Sequence, residues 1–446
     1  MGRILSVMVV VSVFIANHAF GSGFALIEQS SRLQGYSYAG AAAVADDAST
    51  VFFNPAAMTV IEGKLVTAGF QVVVTQAEFT DQGSAYAAGG NLVGGNGGDG
   101  GTVGLVPALF YVESFDNGWS YGLGVNVPFG LSTKYDEGWV GRYHALKSEV
   151  RTININPSVA YRVNKNISVG GGVSLQYIDA ELSNAIDFGL LDASDAFGLG
   201  AGALGLSPQA SDGKATLTGD DWSAGFNLGF LFECNSGNSR IGLSYRSSIE
   251  HDLEGDATFI VPAPIVAVQT AANLFTNSSV KATVELPASA SLSVFHRFNP
   301  RIAVMGDVTW TEWSNLPELR FDFGNNMPDG VTTLNWDDSF RYSLGMMYNA
   351  NDKLTLRTGV ALDETPIPDA AARTPRIPGE QRTWLSVGAG YQVTDRIVVD
   401  GAYSHLFVET PKIAKTLAGE NALRGALTGE YDAAVEIVSI QASYSF

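Results

Sequence analysis

Three things are scarce in this chain. It has one cysteine in 446 residues, only 16% charged residues, and no run of about 20 apolar residues. A single cysteine excludes an internal disulfide, and Cys234 lies in the turn-like stretch "ECNSGNS", where its thiol is incidental. Without a long apolar run, no transmembrane helix is expected. Positive charge is also scarce: 26 Lys and Arg against 45 Asp and Glu give a net charge of −19. That balance excludes the basic face a nucleic-acid partner needs. His144, His251, His296 and His405 are scattered, so no nucleophile and base fall together. No enzymatic activity, metal site or cofactor is therefore expected. Two glycine motifs carry nothing further. "GGNGGD" (94–99) occurs once, and "GAGALG" (200–205) lacks a surrounding strand–helix unit.

What the chain does have is alternation. In 432–446, Val438, Ile440, Ala442, Tyr444 and Phe446 share one face, while Ser439, Gln441, Ser443 and Ser445 share the other. Leu354, Leu356, Val360 and Leu362 oppose Lys353, Thr355, Arg357 and Asp363 in the same way. So do Ile153, Ile155, Val159 and Tyr161 against Thr152, Asn154, Asn156, Ser158 and Arg162. A period of two with one apolar and one polar face is that of a sheet. Six short polar turns (114–118, 162–166, 233–239, 297–301, 349–353, 392–396) alternate with seven longer loops (near 81–102, 136–147, 184–214, 256–279, 315–333, 365–380, 410–430). These connections join 14 strands, an even number with short turns on one side and long loops on the other, as in an outer-membrane barrel. Tyr111, Tyr161, Tyr348, Tyr391 and Tyr444 precede short turns or the chain end, where an aromatic ring is stable at a bilayer interface. Closure is required because lipid offers no partner for unpaired backbone.

The beginning of the chain reads differently from the wall. Residues 1–21 have the pattern of a secretory signal: Arg3, an apolar stretch from Ile4 to Ala16, and the small-x-small site Ala19-Phe20-Gly21. Residues 22–63 do not alternate, yet carry Phe52, Phe53, Met58 and Val60, which are costly to leave in water. They are expected to fill the lumen as a plug, with Asp46 and Asp47 pairing to lumen groups such as Arg341 or Arg357. The wall would then occupy 64–446. Pro55 forces a non-helical bend after Asn54. Pro128-Phe129-Gly130 interrupts the third strand, since proline cannot donate to a ladder. The loops "AIDFGLLDASDAFGLGAGALGLSP" and "DATFIVPAPIVAVQTAANLF" are unusually apolar. Phe188, Leu190, Leu191, Phe197, Phe259, Ile260, Ile265 and Phe275 are the candidates for a capture groove. The same residues could equally pack on one another. Asp363 and Arg382 are candidates for holding the plug, with parity favouring Asp363 as inward-facing.

Across nearly the whole chain, "SGFAL", "ADDASTVFFNPAAM", "VPFGLSTKY" (127–135), "YRSSIEHDLEG" (245–255), "LRTGVALDETPIP" (356–368) and "PGEQRTWLSVGAGY" (378–391) stand in order. In these stretches the sequence resembles the FadL-type outer-membrane transporters of long-chain fatty acids and other hydrophobic compounds. The resemblance implies an all-β, 14-stranded antiparallel transmembrane barrel in a Gram-negative outer membrane, with an N-terminal hatch centred on Asn54-Pro55-Ala56. It implies that Phe24 lies beside a high-affinity pocket and that the loops form a low-affinity capture site. It also implies that the kink at Pro128, Phe129 and Gly130 lets cargo leave sideways into the bilayer by passive diffusion. The terminal "SYSF" resembles the signal read by the barrel-assembly machinery, and lipopolysaccharide and outer-membrane lipid would surround a monomer. One departure stands out: Asn184 and Thr332 occupy places where the family has basic residues for the cargo carboxylate. That favours less polar hydrocarbons unless Arg151, Arg162, Arg341 or Arg357 supplies the contact.

Overall fold

A computed structural model of the protein describes residues 23–446; the signal segment at 1–21 lies outside the described residues. Fourteen antiparallel strands form a closed wall. They are β1 (Lys64–Asp81), β2 (Val103–Ser114), β3 (Trp119–Asn126, resuming as Gly130–Lys134), β4 (Lys147–Arg162), β5 (Ile167–Asp187), β6 (Asp212–Cys234) and β7 (Ser239–Arg246 and Ile249–Ile260). The circuit continues through β8 (Ser278–Leu286 and Ser289–Asn299), β9 (Ile302–Thr311), β10 (Ser339–Asn349), β11 (Leu354–Asp363), β12 (Arg382–Thr394), β13 (Ile397–Val408) and β14 (Thr428–Ser445). Each strand pairs with its neighbour in sequence, and β1 pairs with β14 from Leu65↔Ser445 to Asp81↔Gly429. The wall therefore has no first or last edge.

Side-chain alternation gives the wall its two solvents. On β14, Val438, Ile440 and Tyr444 are exposed on the outside, while Ser439, Gln441 and Ser443 are buried inside. β4 and β11 follow the same rule, with Ile153, Leu356 and Val360 outward and Asn154, Asn156 and Arg357 inward. β1 has 18 residues. At about 3.4 Å per residue and a 45° tilt it rises about 43 Å, well beyond the ~30 Å hydrocarbon layer.

The short turns are two to four residues long and the loops on the opposite rim twelve to twenty-seven. Asparagine shapes three of the six short turns by accepting from backbone N–H groups two and three residues on. Asn164 Oδ1 accepts from Asn166 and Ile167 at 2.9 and 3.0 Å, and Asn351 Oδ1 from Lys353 and Leu354 at 2.9 Å each. Asn299 does the same for Arg301 and Ile302.

Three wall strands are broken. β3 loses its ladder between Asn126 and Gly130, as expected from Pro128. The other two breaks, at 247–248 in β7 and 287–288 in β8, face each other between the pairs Arg246↔Ser289 and Ile249↔Leu286. Pro287 has no N–H to give there, and the inward parity of both strands changes across the break.

Residues 23–63 pack on inward-facing wall residues. They contain two single-turn helices, Ser31–Gln34 and Thr50–Phe53, and a 3₁₀ turn over Pro55–Val60. Tyr36, Tyr38, Val51, Ala56 and Met58 are fully buried.

Candidate functional site

The N-terminal segment is held by groups that the wall aims inward. Arg32 donates to Asp400 of β13 at 2.9 Å, and Asp400 also pairs with Arg357 of β11 at 2.8 Å. Asp47 accepts from Ser30 Oγ at 2.8 Å and from Gln441 Nε2 of β14 at 2.9 Å. Asp47 thus finds hydroxyl and amide donors, Arg32 reaches the Asp46 backbone carbonyl, and Asp400 takes the arginine expected for Asp46 or Asp47. Four wall arginines donate to segment carbonyls: Arg341 to Ser37 (2.8 Å), Arg240 to Val44 (2.6 Å), Arg246 to Phe52 (3.0 Å) and Arg162 to Thr59 (2.6 Å). Ser37 and Val44 lie outside helix, and Phe52 and Thr59 lie at the ends of single helical turns whose last carbonyls need outside donors; the guanidinium groups supply them.

Asn54, Pro55 and Ala56 form the bend the sequence called for. Asn54 Oδ1 accepts from Ala56 N at 3.0 Å, while Nδ2 donates to the carbonyls of Ala42 (2.6 Å) and Phe230 (3.1 Å). Two wall glycines make room for it. A Cβ at Gly229 would stand 2.1 Å from Asn54 Oδ1, and one at Gly170 would stand 2.6 Å from the Ala56 nitrogen.

The tip of the segment lies in the β3 break. Leu26 N donates to Pro128 O at 2.8 Å and Gly130 N to Phe24 O at 2.9 Å, so 24–26 supply the partners that the broken strand lacks. Thr152 Oγ1 closes the other side on Phe129 O at 2.7 Å. Phe24 sits in an aromatic box with Phe129, Trp313 and Trp336 at ring separations of 6.0, 5.0 and 6.3 Å.

Beneath this tip is a cavity of about 1090 Å³, counted with its open mouths. Leu26, Phe52, Phe53, Phe129 and Trp384 make its apolar wall, and Glu28, Arg341, Asp363 and Arg382 its charged end. Arg341, Asp363 and Arg382 stand side by side on three strands, in the register Arg341↔Asp363↔Arg382. Arg382 donates to Asp363, and both are buried. Arg382 thus faces inward as fully as Asp363, because Trp384 shares its face while Leu385 points out. Arg341 is 6% exposed, and its Nε and Nη1 have no acceptor among the described residues. Burial pushes the Glu28 carboxyl up to about 7, with Arg382 and Arg341 opposing that rise and Asp363 adding to it.

The capture candidates divide. Phe188, Leu190, Leu191, Phe259 and Ile265 are buried, and Phe275 packs edge-to-face with Phe188, Phe197 and Phe259 at 4.9, 6.4 and 6.0 Å. Ile260 alone of that set is open, 70% exposed. The two loops meet through two helices, Phe188–Ala193 and Ile265–Ala272, that no periodicity announced.

Residues 12–446 match the family described as outer membrane protein transport protein (OMPP1/FadL/TodX). The chain belongs to this family. It is 30% identical to the long-chain fatty acid transport protein of Salmonella typhi, over 92% of each chain. The crystal structure of a Pseudomonas aeruginosa FadL homologue superposes with a TM-score of 0.86 at 27% identity, covering 95% of this chain and all of the other. The Pseudomonas putida toluene transporter TodX shares the fold, with a TM-score of 0.67 at 18% identity over 93% and 99%.

As a FadL-family barrel the protein is an outer-membrane transporter and not an enzyme. Two features of the transporter's interior escaped the sequence reading. Arg32 and Asp400 are 368 positions apart, and nothing local links them. Glu28, in the landmark-adjacent "FALIEQ", reads as an ordinary surface acid until the barrel encloses it.

Proposed function

We propose that this protein admits long-chain fatty acids passively through the outer membrane. The observation that carries this reading is the cavity, whose long apolar wall ends at an arginine with unspent donors. Buried guanidinium N–H groups without acceptors are costly, and a carboxylate is the group they suit best. Arg151, Arg162 and Arg357 are engaged by Asp179, Glu233 and Asp400, which leaves Arg341 to meet a cargo head group in a chain with Asn184 and Thr332 at the usual places. The fatty acid transport proteins among the relatives support the same cargo.

In this reading residues 22–63 are the hatch, with Asn54-Pro55-Ala56 at its fixed centre and Phe24 at its movable tip. Cargo collects on the loops around Phe188, Leu190, Leu191, Phe197, Phe259, Ile260, Ile265 and Phe275. It then passes to the cavity and leaves sideways where Pro128, Phe129 and Gly130 interrupt the wall, once 24–26 withdraw. Asp363 and Arg382 hold the cavity floor. The barrel works as a monomer among lipid and lipopolysaccharide after insertion by the barrel-assembly machinery.

Mass spectrometry of small molecules co-purified in mild detergent tests the cargo. Fatty acids are expected; aromatic or aliphatic hydrocarbons would redirect the reading to those compounds. Steady ion conductance like that of an open pore would overturn it in favour of a porin.

A further inference from the structure

The cavity holds an internal carboxyl that the transport reading does not use. Six ionisable side chains line it: Arg246, Arg341 and Arg382 against Glu28, Asp307 and Asp363. Fully ionised they cancel, so an incoming carboxylate would leave the buried set one negative charge in excess. In a poorly solvated site that excess is disfavoured, and a proton on one resident acid removes it.

Only one of the three acids is free to take that proton. Asp363 accepts from Arg382 and from Trp384 Nε1 at 3.4 Å. Asp307 accepts from the Ser293 hydroxyl and from Thr309 Oγ1 at 2.7 Å. Among the described residues, Glu28 is 2% exposed and its Oε2 has no donor. Lining the same cavity, Arg341 Nε and Nη1 have no acceptor among those residues, its Nη2 being spent on Ser37 O. An oxygen without a proton to share and a guanidinium without an acceptor do not satisfy each other here. A carboxylate between them satisfies both, provided that Glu28 is protonated and donates.

We propose, resting on the transport reading above, that Glu28 is the proton-carrying half of an acid–carboxylate pair. The cargo carboxylate accepts from Arg341 on one side and from the Glu28 O–H on the other, and one proton is taken up from water for each carboxylate bound. No covalent bond changes; the proton moves from solvent to Glu28 Oε2. The groups facing Glu28 are Arg341 of β10, Asp363 of β11, Arg382 of β12 and the Tyr38 phenol of the segment itself. With burial having already raised its affinity for a proton into the neutral range, binding weakens as pH rises through about 7. Acidic cargo is thereby distinguished from neutral cargo of the same length, which needs no proton.

The test uses the full chain in lipid nanodiscs with decanoate and decanol at pH 6 and pH 8. Decanoate stays ionised at both, since an ordinary carboxyl titrates near 4 to 5. The wild type should bind decanoate about tenfold more weakly at pH 8 than at pH 6, with decanol unchanged. Binding decanoate at pH 8 in weak buffer should take up close to one proton per ligand. Glu28→Gln, a neutral donor of the same shape, should bind decanoate equally at both pH values and release the proton requirement. Decanoate binding that is level with pH in the wild type, or no proton uptake, overturns the proposal while leaving fatty-acid transport standing. Failure to bind decanoate at either pH overturns both. Should the variant fail to assemble, the proton count on the wild type still decides.

Discussion

The two halves of the N-terminal segment are held in opposite ways. From Ser30 to Thr59 the chain is fixed by ion pairs and amide contacts to the wall: Arg32–Asp400–Arg357, Asp47–Gln441, Asn54 to the Phe230 carbonyl, and four guanidinium donors. From Phe24 to Gln29 the hold on β3 is two backbone hydrogen bonds, two Gln29 side-chain bonds (Nε2 to Val127 O at 2.7 Å and Oε1 from Asn126 Nδ2 at 3.2 Å), and aromatic packing. Buried charge-assisted contacts are lost only at high cost, whereas a neutral backbone bond contributes about 1 kcal/mol net. The contrast teaches that one short peptide can be held strongly along one stretch and weakly along another.

The sharpest way to break this contrast is in the strongly held stretch. Asp400→Ala leaves Arg32 and Arg357 buried without their counter-ion, a loss of roughly 3–5 kcal/mol. The segment should come loose, giving stepwise ion currents in planar bilayers and new protease cuts within 30–60. A silent bilayer and an uncut segment would mean that this stretch does not depend on this pair. Asn54→Ala removes two donors, roughly 1–3 kcal/mol; conductance should rise less than in Asp400→Ala, and fatty-acid uptake should fall. At the tip, Pro128→Ala with Gly130→Val restores side chains and a ladder donor to β3. Uptake should drop several-fold with no added conductance and normal heat-modifiable migration, and unchanged uptake would remove the sideways exit. The smallest effect belongs to Ile260→Ser on the loop rim. It trades an exposed apolar side chain, less than about 1 kcal/mol, and should show only as slower capture at low cargo concentration.

The wall was legible because each strand carries its own instructions. Val438, Ile440 and Tyr444 point out and Ser439, Gln441 and Ser443 point in by a rule with a two-residue reach, and the short turns announce themselves through Asn and Gly. Pro128 marked its own break for the same reason. The break at 247–248 had no such mark, for Ser247-Ser248 is permissible in a strand; it arises opposite Pro287, whose effect crosses from β8 to β7. The site was legible only in part. Asn54, Pro55 and Ala56 act on their own backbone and could be read locally. The roles of Arg32, Asp400, Arg341 and Glu28 depend on strands far apart in the chain meeting around one lumen. The apolar loops showed that they would bury something, yet Phe275 against Phe188 and Phe259 is a choice of partner that composition does not encode.

The pairing of β1 with β14 bears on how the molecule comes into being. The seam runs the whole length of both strands, and the inner segment emerges at its lower end, directly ahead of Lys64. Once that seam is zipped, the wall leaves no gap between strands, and the lumen is reached through its mouths. Because residues 23–63 join the wall at Lys64, they stand beside the seam from the outset. Contacts such as Gln441 with Asp47 tie the last strand to that segment, so the register of the closing seam and the packing inside it are set by the same side chains.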